Sequence, residues 1–456
     1  MVNLMQKMCQ DKQLLFITLL ITVFCVFMAG CTQPRQAIKL PNIIFITIDT
    51  CRADFIGCYG FANDITPHID EAAREGVLFE NVLTVVPITL PSHSSIFTGL
   101  YPLRHKVRDN GSYRLSDKFM TLAEILQQHG YRCAASVGAF VMERRFGLIQ
   151  GFDDYYDQFT TNDADGGSRG QSWMGFKVKQ FERPAAKVNS DAIEWLKKNH
   201  SQPFFLWLHY FDPHASYSPP EPYKSRFKNN PYAGEINYVD AMIGNLYAYL
   251  RANQLWENTL LVITSDHGEL LGEHGVMGHG QNLFQPALKI PLILRWPGYV
   301  PGGKRIKLQC STIDIMPTVL ELLNIRLDQS IDGTSLVKYF KGKKSPRTIF
   351  AETLYPERLY DKKGEGFFGV MEDNWKVIIH RTRNEAQIYN HKTDPQEAKP
   401  LSLDNLKDLK PKEMKVINDR LQLLQEYRKA SNKAESDKIE TDQETIDALK
   451  ALGYIK

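Results

Sequence analysis

The segment Asn42-Ile-Ile-Phe-Ile-Thr-Ile48 is an apolar, β-branched run with no alternating polar face. A strand with one face in water alternates. A continuous run is dry on both faces, which is the condition of a strand inside a parallel sheet covered by helices on either side. Phe204–Leu208 and Thr259–Thr264 have the same character, and Cys133–Val137 and Leu292–Arg295 are shorter candidates. Helical patterns lie between them. Thr66-Pro67 opens one, with Thr as N-cap and Pro at the first position, and Gly76 closes it. Thr121–His129 is a second, ended by Gly130; Ile236–Leu250 and Ile313–Leu323 are two more. Strands alternating with helices predict an α/β/α sandwich with a mostly parallel central sheet.

After about Ser345 the pattern changes. Phe367–Met371, Trp375–His380 and Gln387–Tyr389 are short strands joined by tight turns, and a charged amphipathic helix begins at Pro411. The expected organisation is a catalytic domain over 41–345, a small antiparallel-sheet α+β subdomain over 346–425 and a polar tail over 426–456. Thr160–Ser172, rich in Gly, Asp and Ser, reads as a loop. Lys and Arg number 55 against 52 Asp and Glu, a net charge of +3 with no long blocks. A nucleic-acid partner needs concentrated basic charge, so that class is disfavoured.

Residues 1–30 read as a targeting segment. Lys7 and Lys12 precede the uncharged run Leu14–Ala29, which is short against the roughly 20 apolar residues of a membrane span. It ends in Met28-Ala-Gly-Cys31 and resembles a bacterial lipoprotein signal, cleaved before a lipidated Cys31, with 31–40 as tether. An uncleaved anchor is the alternative, and both place the body outside the cytoplasm, attached to the cell-envelope membrane. The remaining cysteines are Cys51, Cys58, Cys133 and Cys310. They match no zinc spacing; they read as small core residues, with one bridge open in an oxidising compartment.

Ligand-bearing loops of open α/β sheets lie beyond the carboxyl ends of strands. Two predicted strands end in acids there, at Asp49 and at Asp266-His267-Gly268. A lone Asp after a strand is ordinarily a turn residue. An Asp-His pair beside glycine suits a divalent metal, and two such ends in one sheet can share one ion. Pro87-Ile-Thr89-Leu-Pro91-Ser-His93 adds a hydroxyl, Thr89, at the start of a helix, near its positive dipole end; alone, it reads equally as a capping threonine.

These residues stand in an ordered set of motifs: Gly57-Cys-Tyr-Gly60, Thr66-Pro-His-Ile-Asp70, Thr98-Gly-Leu-Tyr-Pro102, Asp109-Asn-Gly111, Asp212-Pro-His214, Ser265-Asp-His-Gly-Glu269, Gly272-Glu-His-Gly275, Asp332-Gly333, and Asp394-Pro395 with Glu397. From Pro41 onward the chain resembles the sulfatase family of the alkaline phosphatase superfamily. The resemblance implies one divalent ion held by Asp49, Asp266, His267 and the nucleophile Thr89. Calcium is the family's ion; Thr50, where many members carry a second Asp, leaves fewer carboxylates and opens the choice to magnesium, manganese or zinc. It also implies ester contacts from Asn110, leaving-group or substrate contacts from His214, and a place for His279 where many members have Lys. Two-metal relatives add an Asp and two His, for which Asp212, His209, His214 and His279 are candidates, although their spacing differs. His105 and Glu273 read as rim or structural residues.

The departure lies at the nucleophile. The family signature begins with a Cys or Ser that is oxidised to formylglycine and ends in Arg; here the segment runs from Thr89 to His93. A threonine β-carbon bears a methyl group, so its oxidation cannot give an aldehyde, and formylglycine is excluded. The expectation is a metal-dependent hydrolase that attacks a small-molecule or glycan sulfate or phosphate ester directly with Thr89. A phosphodiesterase or phosphotransferase passing the group to an alcohol, and a silent metal-binding lipoprotein, are the alternatives.

Overall fold

The structure is a computed structural model that describes residues 40–433 apart from 63, 160–171, 174–175, 178–181, 344–346, 360–361, 402–405 and 407–408, together with isolated positions 1 and 446. The lipoprotein signal, Cys31, the tether up to residue 39, nearly all of the Thr160–Ser172 loop and most of the polar tail lie outside the described residues. Among the described residues no helix is long and apolar enough to cross a membrane.

From Pro41 onward the chain forms one compact unit around a nine-stranded sheet. Its central strand is Asn42–Ile48, fully buried as the apolar run requires. Phe204–Tyr210 pairs with it in parallel on one side and Thr259–Ser265 in parallel on the other. Arg132–Val137 and Asp154–Tyr156 extend the first side, also in parallel. On the second side Leu292–Arg295 runs antiparallel, against both Thr259–Ser265 and Val77–Leu83. Lys289–Ile290, also antiparallel to Val77–Leu83, continues the reversal, and the mostly parallel sandwich is present.

Period-two geometry sends alternate side chains of the central strand to opposite layers. Ile44, Ile46 and Ile48 join a core built with helices Pro67–Glu75, Ala185–Asn199 and Pro231–Ala252. Phe45 faces the other layer, where its ring lies 5.4 Å from Phe97 of helix Thr89–Thr98. Thr121 closes a capping box with Glu124 as its position predicts. Thr66 stands at the N-cap with Pro67 at the first position, but its side chain makes no capping bond: its hydroxyl accepts from Gly57 N–H at 2.9 Å, tying the preceding loop to the helix start. The four mature cysteines are all free thiols; Cys51, Cys133 and Cys310 are buried and Cys58 is half-buried.

A four-stranded antiparallel sheet, Ile349–Thr353, Phe367–Glu372, Trp375–His380 and Ala386–Asn390 in that spatial order, is covered by helix Pro411–Lys433 through Ile417 and Leu424. Buried ion pairs join it to the rest of the unit. Arg108 grips Glu352 with two bonds of 2.7 and 2.8 Å. Glu397 takes the Lys376 ammonium at 2.7 Å, the His391 ring at 2.7 Å and the Gln285 N–H at 2.8 Å. Burial pushes the Glu397 carboxyl up, but the Lys376 charge and the His391 bond override it and hold the group down at about 2. The sheet also reaches the site, since the Thr353 hydroxyl donates to the carbonyl of Gly280, next to His279.

Candidate metal centre and nucleophile

The strand register builds the site. Ile48 lies opposite Tyr210 on one neighbour and Ser265 on the other, so the next residues, Asp49 and Asp266, emerge side by side at the carboxyl ends of adjacent strands. Both are fully buried. Asp266 Oδ1 accepts from the Thr50 N–H at 3.2 Å and the His267 N–H at 2.8 Å. Its Oδ2 and both oxygens of Asp49 have no hydrogen-bond partner among the described residues. Burial, reinforced by the facing Asp266 charge, pushes Asp49 well above the usual carboxylate range; burial lifts Asp266 to about 6. Thr50 adds no third carboxylate and spends its hydroxyl on the Pro213 carbonyl at 3.1 Å.

Thr89 is the first residue of helix Thr89–Thr98, whose N-cap is Ile88. Its hydroxyl is therefore not the cap. Asn110 anchors this end instead, its Oδ1 accepting from Leu90 N–H at 2.9 Å. Ser92 fixes the helix to the metal loop by donating to the Asp266 carbonyl at 2.7 Å. The Thr89 hydroxyl is buried, 3.5 Å from His267 Nε2.

Five histidines surround this point, and their partners assign their hydrogens. A carbonyl oxygen only accepts, so a ring nitrogen bonded to one must carry hydrogen, and the other nitrogen of a neutral ring is a bare lone pair. Burial holds His93, His209, His214, His267 and His279 toward the neutral form, His214 at about 4 and His267 at about 3. His267 Nδ1 donates to Gly268 O at 3.0 Å, leaving Nε2 bare, 3.3 Å from Asp266 Oδ2 and 3.8 Å from Asp49 Oδ1. This is how protein metal ligands are oriented, through the other ring nitrogen.

His93 differs. Its Nδ1 donates to the Thr89 carbonyl at 2.8 Å. Trp207 Nε1–H donates to Thr47 Oγ1 at 2.9 Å, so the Thr47 hydroxyl gives its own hydrogen to His93 Nε2 at 3.1 Å. Both ring nitrogens are committed. His93 thus positions the first turn of the helix that begins at Thr89 and offers no lone pair to a metal, although it lies near His209 and Asp266. His209 Nδ1 accepts from Gly138 N–H at 3.4 Å, which puts its hydrogen on Nε2, facing Asp49 Oδ2 at 3.5 Å. It backs Asp49 and does not ligate. By elimination the metal-competent group is Asp49, Asp266 and His267, whose ligand atoms lie within 4.8 Å of one another, with the Thr89 hydroxyl beside them. The buried carboxylate oxygens without partners fit a divalent cation, because burying such charge uncompensated is costly.

The remaining predicted residues separate. His214 and His279 sit together near His267, whose ring lies 4.3 Å from that of His279. Asp212 instead accepts from Ala185 N–H at 2.9 Å, at the start of helix Ala185–Asn199. His105 holds Ser95 at 2.9 Å, and Glu273 takes Arg52 at 2.6 Å and Leu271 N–H at 2.6 Å, so both serve structure. Sequence reading did not find Thr47 and Trp207; a threonine and a tryptophan on buried strands carry no functional signature. Nor did it single out Glu269, whose carboxyl burial raises to about 8 and which accepts the Tyr217 hydroxyl.

A parallel α/β sandwich with acids of adjacent strand ends converging on a helix-borne hydroxyl defines a metal-dependent ester hydrolase. Comparison with known proteins gives the family. Residues 41–325 match the sulfatase family, and residues 272–429 match the C-terminal region of N-sulphoglucosamine sulphohydrolase. The chain belongs to the sulfatase family, and it is an ester hydrolase. The N-acetylglucosamine-6-O-sulfatase of Bacteroides thetaiotaomicron is 24% identical over 543 aligned positions, covering 93% of each chain. The multifunctional alkaline phosphatase superfamily protein PehA of Trinickia caryophylli is 25% identical over 474, covering 80% of this chain and 91% of that one. Among solved structures, the phosphonate monoester hydrolase of Agrobacterium radiobacter superposes with a TM-score of 0.71 at 20% identity, over 87% of this chain and 96% of that one. Ps i-CgsB in complex with k-i-k-neocarrahexaose gives 0.70 at 22%, over 91% and 98%.

The carboxylate pair generates a prediction. In metal-free protein Asp49→Asn relieves buried like-charge repulsion and should raise Tm, by about 1 °C for each kcal/mol relieved in a unit of this size. In saturating divalent metal the order should reverse, because wild type gains about 2.7 kcal/mol at a hundredfold excess over Kd and the variant does not. Scanning calorimetry with chelator and with metal checks both arms; a variant less stable in both would place the cation elsewhere.

Proposed function

We propose that this protein hydrolyses phosphate or sulfate esters with the unmodified Thr89 hydroxyl as nucleophile, phosphate esters being the better substrates. The observation that carries the reading is the placement of that hydroxyl, at the first position of its helix and 3.5 Å from the bare Nε2 of His267. Asp49, Asp266 and His267 would hold one divalent ion with Thr89; when bound, the ion supplies a lowered hydroxyl pKa and neutralises charge on the ester. Thr89 Oγ attacks phosphorus or sulfur as the bond to the departing alcohol breaks. The Thr89 proton is lost and the alcohol gains one from solvent. Water then attacks the same atom, releases phosphate or sulfate and restores the hydroxyl.

The preference follows from that second half. A formylglycine hydrate expels sulfate by collapsing to its aldehyde, whereas a threonine adduct must be cleared by water. A phosphothreonine can be hydrolysed in this way, and a sulfothreonine is harder to clear. His214 and His279 flank the ester in this reading. With its Nδ1 donating to the Ala215 carbonyl at 2.8 Å, a neutral His214 accepts through Nε2 and cannot protonate a leaving group. Relatives that include a glycan sulfatase support a small-molecule or glycan ester as substrate. We place the enzyme in the bacterial cell envelope, anchored by lipid on Cys31 and facing away from the cytoplasm.

Thr89→Ala should lower kcat/KM roughly 10⁴-fold or more, the scale of nucleophile deletions, and Thr89→Ser should keep measurable turnover. With p-nitrophenyl phosphate and sulfate esters compared side by side, phosphate should be the faster; unchanged turnover in Thr89→Ala would refute the nucleophile. The anchor is checked by intact mass of the membrane fraction, which should show loss of residues 1–30 and added acyl mass. A chain beginning at Met1 would reject it.

A further inference from the structure

The edge strand of the antiparallel sheet, Ile349–Thr353, touches three of the loops that build the Thr89 centre. The Glu352 N–H donates to the Val85 carbonyl at 2.9 Å, on the segment that leads into Thr89. Its carboxylate holds Arg108, accepting from Nε at 2.7 Å and from Nη2 at 2.8 Å. Arg108 stands just ahead of Asn110, whose Oδ1 takes the Leu90 N–H at the start of the Thr89 helix. Thr353 donates its hydroxyl to the Gly280 carbonyl, beside His279. Gly280 is itself tightly enclosed: its φ is +78°, and a Cβ there would meet the Tyr355 ring at 2.9 Å and Ile88 at 3.4 Å. Two consecutive residues of one strand thus reach the approach to the nucleophile, the loop of the asparagine that anchors its helix, and the His279 loop.

We propose that Glu352 and Thr353 are positioning residues for ester cleavage, through which the antiparallel sheet and its helix hold Thr89, Asn110 and His279 in their working geometry. Both residues are buried, and their polar atoms are taken by protein partners, so they act through the loops and not on the ester. Glu352 is fixed in turn from helix Pro411–Lys433. The Tyr427 hydroxyl donates to Glu352 Oε2 at 2.7 Å, and Ser431 Oγ accepts from Arg108 Nη2 at 2.8 Å. The Tyr427 ring stacks on Phe350 of the same edge strand, with centroids 5.2 Å apart. A buried carboxylate spent on its own sheet would stabilise that sheet alone; this one spends both oxygens on an arginine of the site's loop. Such support matters to rate, because a displacement of about 1 Å between reacting groups can cost roughly a hundredfold.

The proposal rests on Thr89 being the ester-cleaving nucleophile, so its test pairs a structural readout with kinetics. Amide hydrogen exchange of the full chain, read by peptide mass spectrometry, follows segments 88–92, 106–111 and 278–281. Glu352→Gln should quicken exchange in the first two and Thr353→Val in the third, by about fivefold, the factor that one lost hydrogen bond gives. Ile388→Ala, which opens the core of the same sheet at its far strand, should leave all three as in wild type. With a p-nitrophenyl phosphate ester, Glu352→Gln and Thr353→Val should lower kcat at least about tenfold while KM changes less than about twofold; Thr353→Ser, which keeps the hydroxyl, should restore the rate. Glu352→Gln leaves Arg108 without its counter-charge, so Thr353→Val, which keeps that pair, carries the test if the first variant does not fold. Unchanged exchange, or quickened exchange with wild-type kcat, overturns the proposal. Equal quickening in Ile388→Ala overturns it too, since the loops would then follow the sheet's general stability. Full turnover in Thr89→Ala, with the effects of Glu352→Gln and Thr353→Val as expected, would fault the nucleophile and leave the two positioning roles standing.

Discussion

Two buried carboxylates at the ends of adjacent parallel strands, with no lysine or arginine paired to either among the described residues, are the constraint on which this structure turns. Asp49 and Asp266 are brought together by strand pairing from Asn42↔Thr259 to Ile48↔Ser265. Every surrounding group is arranged to hold them in place. Thr50 and His267 donate backbone N–H groups to Asp266, and the His209 ring stands behind Asp49. Burying two carboxylates this close together is costly unless a cation neutralises them, so a divalent ion bound here would stabilise the fold as well as the site.

Hydrogen placement divides the histidines by role more sharply than distance does. His93 Nδ1 lies 3.9 Å from Asp266 Oδ2, yet the chain Trp207–Thr47–His93–Thr89 O uses both its nitrogens and makes it a brace for the helix that begins at Thr89. In the proposed reading, where Thr89 acts unmodified, the changes at Thr89 and His93 have one physical sense: a plain hydroxyl needs a fixed helix terminus and no competing charge.

The sheet and the meeting of acids at its strand ends were legible because their signals are local: an apolar run without alternation, and an acid directly after it. Asp266-His267-Gly268 was legible for the same reason. The position of Thr89 as the first helical residue was not, since Ile88 caps with its backbone and Asn110 arrives from a distant loop. That His209 and Asp212 bond to the backbone of Gly138 and Ala185, far along the chain and with no side chain of functional type, was not readable from their spacing. The antiparallel sheet was read as a separate subdomain from its change of period; its buried ties through Arg108–Glu352 and Glu397–Gln285, which hold it against the main unit, have no sequence period at all.

The central claim is that the ester group passes through Thr89 itself. Rapid-quench turnover of a p-nitrophenyl phosphate ester, followed by peptide mass spectrometry, tests it most directly. The account predicts a transient mass gain of one phosphoryl group on the peptide containing Thr89, rising before product release and decaying with it. Full turnover with no modified Thr89 peptide at any time point, or the gain appearing on another residue, would contradict it.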